Sequence, residues 1–369
     1  MPDTTSDLTR IIEAPDTPVE QRARALIDRG FRAIQRGAIG DAQADYTHII
    51  ERLPDAPIHL FSLAYYNRGV THTMLHQREQ AIADYTHVIE HLPGAPVRNV
   101  SSALLNRGGA WSAAESGKAL ADYTQLIEHL PGAPPNDIAT ALVNRGLTWC
   151  KRGDAEKEIA DYTRVIAEFA GAPVEQLAKA YYNRGLAWSK MGQNDLEFAD
   201  YTHVIEKLPG APAEQLAKAL VNRGLLWGER GAVEMELADY TRVIERLPQA
   251  PPEPIAQAYA NRGWVEYQRG RYPAFLADTE AALEHNPQMA SAAFRLGLAL
   301  LACGRDADAL TAYIEAARDF PQAIEEDGLP YLIEAQNQWL SRHRAKPIVH
   351  FLRHTLLRKQ PPEAEGGST

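Results

Sequence analysis

From Leu196 to Leu208, apolar residues fall at Leu196, Phe198, Tyr201, Val204, Ile205 and Leu208. That stripe has near-helical period. The stretch before it, PVEQLAKAYYNRGLAWSKMG, is rich in helix formers and opens with Pro173 at a first helical position. Glu175 follows in the first turn, where the helix dipole favours negative charge, and Gly192 breaks the helix. Asn194 is placed to cap the second helix, and Pro209-Gly210 to end it. No segment alternates with period two between turn signals, so no sheet is predicted. The pattern is two helices joined by a turn.

That unit recurs. Asn-Arg-Gly stands at Asn67, Asn106, Asn144, Asn183, Asn222 and Asn261, with spacings of 39, 38, 39, 39 and 39. Asp28-Arg29-Gly30 lies 39 residues before the first. Asp-Tyr-Thr begins at Asp45, Asp84, Asp122, Asp161, Asp200 and Asp239, and Asp278-Thr279 continues the series without the Tyr. An eighth unit shortens to 34 residues, measured from Gly263 to Gly297. Fixed periods of this size mark an array of stacked units, each burying its apolar face on its neighbours. The eight units span residues 22–321. DLTRIIEAPDTPVEQ (Asp7–Gln21) aligns with DYTRVIAEFAGAPVEQ (Asp161–Gln176), so residues 1–21 read as a lone second-type helix covering the first unit. Residues 322–360 read as capping helices split at Lys346-Pro347, and 361–369 as a disordered tail.

The eighth unit carries Leu296-Gly297, Ala309, Tyr313, Ala316 and Pro321. With these offsets it resembles the tetratricopeptide repeat family. Most other units keep the first-helix Gly, the second-helix Tyr and the terminal Pro, and four add an aromatic three after the Gly (Trp111, Trp149, Trp188, Trp227). They depart by five extra residues before the first helix, which lengthen it by about 7 Å if helical. The resemblance covers roughly residues 7–321. It implies an all-α fold, a right-handed α-solenoid (superhelix) of tandem helix-turn-helix units. It also implies a scaffold that binds other proteins.

The triplets then acquire roles. The Gly sits where two helices approach closely. In seven units an Arg precedes the second-helix Asp by 15 or 16 residues, and in the eighth Leu296 and Ala312 replace both together. Joint loss is what a contacting pair would show. The expected pairs are Arg29–Asp45, Arg68–Asp84, Arg107–Asp122, Arg145–Asp161, Arg184–Asp200, Arg223–Asp239 and Arg262–Asp278. The resemblance implies that the Asn, two before the Gly, faces a concave groove. Asn there is similar to the asparagine ladder of the O-linked N-acetylglucosamine transferase repeats and to the carboxylate clamp of co-chaperone repeats, both of which bind extended peptide. A carboxamide offers donor and acceptor together, so Asn67, Asn106, Asn144, Asn183, Asn222 and Asn261 could grip a peptide backbone. The other reading is copying by duplication, or a bond to a neighbouring helix. Lys179, Lys190, Lys218 and Lys151 lie four before or seven after an Asn, on its helix face. They would bias the groove toward an acidic peptide or a C-terminal carboxylate, unless they are plain solvated lysines.

Composition narrows the function classes. The net charge of −10 argues against a general nucleic-acid binder. Two distant cysteines, Cys150 and Cys303, make no disulfide framework and suit a reducing compartment. The opening MPDTTSDLTR lacks a signal-peptide pattern, and no apolar run could span a membrane, so a cytoplasmic location is expected. Residues 335–360 hold six Lys/Arg and no Asp or Glu. The amphipathic PIVHFLRHTLLRK there would cap the array or dock on an acidic partner or membrane. Self-association through array edges and this basic end is the alternative function, a structural or self-assembling protein. His72 with His76, and His350 with His354, have helical zinc-ligand spacing but no third ligand nearby. No metal or cofactor is expected. No phosphate loop, nucleophile elbow or zinc-protease motif occurs, so an enzyme is not expected.

Overall fold

A computed structural model describes residues 5–338 and 342–357. The expected tail at 361–369 lies outside the described residues. The chain forms two compact units, Met1–Gln193 and Asn194–Thr369. The first unit holds α1 (Thr5–Glu13), α2 (Val19–Gln35), α3 (Ile39–Arg52), α4 (Ile58–Met74), α5 (Arg78–Thr86), α6 (Val97–Ala110), α7 (Ser116–His129), α8 (Pro135–Arg152), α9 (Ala155–Glu168) and α10 (Val174–Lys190). The second holds α11 (Asn194–Lys207), α12 (Ala213–Glu229), α13 (Val233–Arg246), α14 (Pro252–Gln268), α15 (Tyr272–His285), α16 (Ala290–Ala302), α17 (Asp306–Asp319), α18 (Leu329–Gln338) and α19 (Arg342–Leu357). No strand occurs among the described residues. Within each unit the helices from α1 to α10 and from α11 to α17 pack in chain order, each against the next, as in an α-solenoid.

Local chemistry sets these boundaries. The even-numbered helices α2 to α14 (helix A of each repeat) begin just after a proline: Pro18, Pro57, Pro96, Pro134, Pro173, Pro212 and Pro251. Each proline sits at the N-cap with extended ψ, so Pro173 lies one position earlier than its sequence suggested. Its ring fixes φ, and its missing N–H removes a donor that a helix start would leave unpaired. At most A-to-B turns a residue adopts positive φ, as Gly192 does at +68°. In the second repeat His76 takes that conformation at +59°, where glycine is easier. The extra residues of the long units are helical. Five of the A helices have 17 residues, against 13 in α16.

The first and last described helices pack on their neighbours in the chain. In α1, Leu8 is buried and Thr9 accepts a hydrogen bond from Arg29 on α2. At the other end α19 packs on α17, burying Ile348 and Leu352. Arg344 binds the Asp306 carboxylate and donates to the Leu301 carbonyl at 2.6 Å. Ile348 and Leu352, on the apolar side of the basic amphipathic helix, are therefore spent inside the second unit. Among the described residues no helix is long and apolar enough to cross a membrane.

Candidate functional site

The recurring triplets lock each repeat to itself and to the one before. A Cβ at Gly30, Gly69, Gly108, Gly146 or Gly224 would fall 2.5–2.7 Å from the ring of Tyr46, Tyr85, Tyr123, Tyr162 or Tyr240. The tyrosine of the second triplet thus fills the space left by the glycine of the first. Burial pushes the Tyr46, Tyr85 and Tyr123 hydroxyls up to about 12. Six of the expected ion pairs form: Arg29–Asp45, Arg68–Asp84, Arg107–Asp122, Arg145–Asp161, Arg223–Asp239 and Arg262–Asp278, at 2.5–2.8 Å. Arg184 belongs to the first unit and Asp200 to the second.

The threonine completes the scheme. Thr9, Thr47, Thr86, Thr124, Thr163, Thr202 and Thr241 each accept a hydrogen bond at 3.0–3.4 Å from the Arg of the following repeat. Asp holds its own arginine, Tyr fills its own glycine, and Thr takes the next arginine. Guanidiniums with this many internal acceptors have little left for a ligand anion.

Each candidate Asn is half-buried on its A helix. Asn106 donates to the Tyr66 hydroxyl at 3.1 Å, and Asn222 to the Tyr201 hydroxyl at 3.2 Å. Asn144 lies against the Tyr123 hydroxyl and eases the upward shift that burial imposes on it. Asn261 accepts from the Gln257 amide at 3.1 Å, while its own amide nitrogen is sealed from solvent without a partner. Part of the carboxamide chemistry therefore serves contacts inside the array, the role of a bond to a neighbouring helix.

The lysines divide. Lys179 pairs with Glu175 at 2.6 Å and Lys218 with Glu214 at 2.5 Å, each one helical turn away. Lys190 reaches into the preceding repeat, donating to the Cys150 thiol at 3.0 Å and lying 3.5 Å from the buried Glu158. The cysteine contact and the Glu158 charge raise the Lys190 pKa. Burial raises that of Glu158, and the lysine opposes the shift. These three carboxylates offset the positive strip expected from sequence. Lys151 instead lines a recess of about 210 Å³ together with Gly109, Ser112, Ser116, Asn144 and Thr148. The recess arises from the third repeat's missing residue. There α6 stops at Ala110, and Ser112 and Glu115 form a capping box on a short 3-10 turn before α7. Glu115 gathers Ser112, Lys118 and Arg78, which pull its carboxyl down to about 2.

The sequence reading missed one feature of this face. Three residues after the Asn, and so on the same side of the helix, Leu147 and Leu225 are 39% and 47% exposed. Phe31, at the matching place in the first repeat, is 58% exposed. The signal was present as an apolar residue directly after most of the Arg-Gly pairs. Among the described residues no group of three or more His, Cys, Asp or Glu is placed to hold a metal ion.

Comparison with known proteins gives a local family match and a shared fold. The tetratricopeptide repeat model matches residues 261–324. A tetratricopeptide repeat protein from Parabacteroides merdae is similar over 75% of this chain and 98% of its own, at 20% identity and a TM-score of 0.50. The TPR2AB domain of yeast Sti1, solved in a complex with pHSP90, is 19% identical over 80% of this chain and 98% of its own, with a TM-score of 0.29. The TPR domain of P58(IPK) is 15% identical over 92% and 99%, with a TM-score of 0.27. The last two scores are too low to bear on the assignment. No curated protein matches the chain. Residues 261–324 thus match the tetratricopeptide repeat family, and the helix pairs stacked in chain order share the fold of a solved tetratricopeptide repeat protein.

Proposed function

We propose that the chain is a protein-interaction scaffold, and that the A-helix face within each unit binds an extended segment of another protein. The exposed leucines carry this reading. Leu147 and Leu225 stand out of the core on the face that bears the Asn, 39% and 47% exposed. Apolar side chains held in water beside amide groups suit a peptide that offers both side chains and backbone. In the first unit Asn67, Asn106, Asn144 and Asn183 would pair with the peptide backbone, and in the second Asn222 and Asn261. Each such bond adds about 1 kcal/mol net, so the contacts must act together. Lys151 and the recess beside Asn144 would take a polar or acidic side chain. Lys179, Lys190 and Lys218 add a weaker bias, because each already has a carboxylate near it.

The test compares the wild type with Asn144→Ala, Asn183→Ala, Asn222→Ala in a pull-down from native lysate. Circular dichroism first establishes equal helicity, since Asn222 also supports Tyr201. The captured protein is then tiled as short peptides. Loss of capture, tracing to one extended peptide, is expected. Equal capture by both forms would overturn binding on this face.

A further inference from the structure

Repeats four to six carry a glutamate where most others carry alanine: Glu158, Glu197 and Glu236 replace the type of residue seen at Ala42, Ala81, Ala119 and Ala309. A carboxylate at a packing position is costly unless a cation or hydrogen bonds compensate it. In the fourth repeat Glu158 is buried, and the ammonium of Lys190, from the next A helix, stands 3.5 Å away. The sixth repeat has the same carboxylate without that lysine. Adding 78 to each number maps Glu158 to Glu236, Cys150 to Gly228 and Lys190 to Gln268.

The neighbouring arginines of the sixth and seventh repeats are turned to other carboxylates. The Glu236 carboxylate presses on Gly228, where a Cβ would lie 2.8 Å from its oxygen. It accepts one hydrogen bond, from the Tyr240 hydroxyl at 3.2 Å. Arg269, next to Gln268, is engaged with Glu234 at 3.1 Å, and Arg230 with Asp195 at 2.7 Å. Leu225, one turn before Gly228 on the same helix face, offers an exposed apolar wall.

We infer that Glu236 is a subsite for a lysine or arginine side chain of the bound segment, seated as Lys190 is seated on Glu158, an inference that rests on the face binding proposed above. The alkyl stem lies along Leu225 while the charged head reaches the half-buried carboxylate. Burial pushes the Glu236 carboxyl above its usual range, and a ligand cation would reverse that shift.

The test selects random-sequence phage-displayed peptides on the full chain and measures the tightest by fluorescence polarisation. Enriched peptides should share a basic residue. Glu236→Gln keeps an acceptor for Tyr240 and removes the charge, and should weaken such a peptide about tenfold. Gln268→Lys should weaken it similarly, by filling the subsite from within. Replacing the peptide's basic residue by norleucine should abolish both effects. Peptides that require Asn222 yet bind wild type and Glu236→Gln equally would sink the subsite and leave the face reading standing. Peptides insensitive to every substitution on this face, or no peptides at all, would sink both.

Discussion

Gly224 has no room for a methyl group, because its Cβ would lie 2.5 Å from the Tyr240 ring. The helix itself would welcome alanine, which exceeds glycine in propensity by about 1 kcal/mol. The clash outweighs that gain, since overpacking a filled site costs about 1–3 kcal/mol before relaxation fails. Gly224→Ala should therefore destabilise the second unit by about 2 kcal/mol in urea unfolding. Gly263→Ala should cost less, because Thr279 replaces the tyrosine and the nearest atom is 3.0 Å away. The glycine's packing role was legible from its period. Its partner was not, since Tyr and Gly sit on different helices and spacing alone assigns no contact. The threonine was opaque for a stronger reason: its partner lies in the next repeat, and both residues recur so regularly that neither singles out the other.

Between elements, the strongest ties are the ion pairs of helix A with helix B. Arg223 and Asp239 have side chains only 6% and 7% exposed. Asp239→Ala would strand the guanidinium, with Glu206 and Thr202 as its remaining partners. The expected loss is about 3 kcal/mol by chemical denaturation. Replacing both residues together, Arg223→Met with Asp239→Leu, should recover most of it. A double variant as unstable as the single one would show that the pair acts through more than its charges. These pairs were readable because Leu296 and Ala312 abandon the pattern together. The Asn and Lys positions were read only in part. Side chains such as the half-buried Asn222 and the exposed Lys190 serve neighbours in the array as well as the open face, and a sequence records one residue for both demands. The third repeat's deletion was visible as a spacing of 38, but not the recess that the shortened α6 leaves beside Asn144.

At the scale of a whole unit, contacts run between neighbours, so damage should stay local. Asp122→Ala removes an acceptor shared by Arg107 and the Trp111 indole, which donates to it at 2.8 Å. Native-state hydrogen exchange should quicken in α6, α7 and α8 and remain unchanged in α1 and α2. Uniform acceleration through the first unit would show a single cooperative block instead. The helical apolar pattern, its 39-residue period and the family resemblance together made the fold class plain, because such a step leaves each helix pair dependent on the next.

The threonine-to-arginine link gives the array a grammar. Thr47 accepts Arg68 as Thr202 accepts Arg223, so one junction reads much like another. A copying error that gains or drops one whole unit still hands every arginine an aspartate of its own and a threonine behind it. An error of a few residues breaks both. Array length can thus change by whole repeats with every junction's chemistry kept, and PVEQLAKAYYNRGLAWSKMG and PAEQLAKALVNRGLLWGERG, which share 13 of 20 residues, show how interchangeable two such units are.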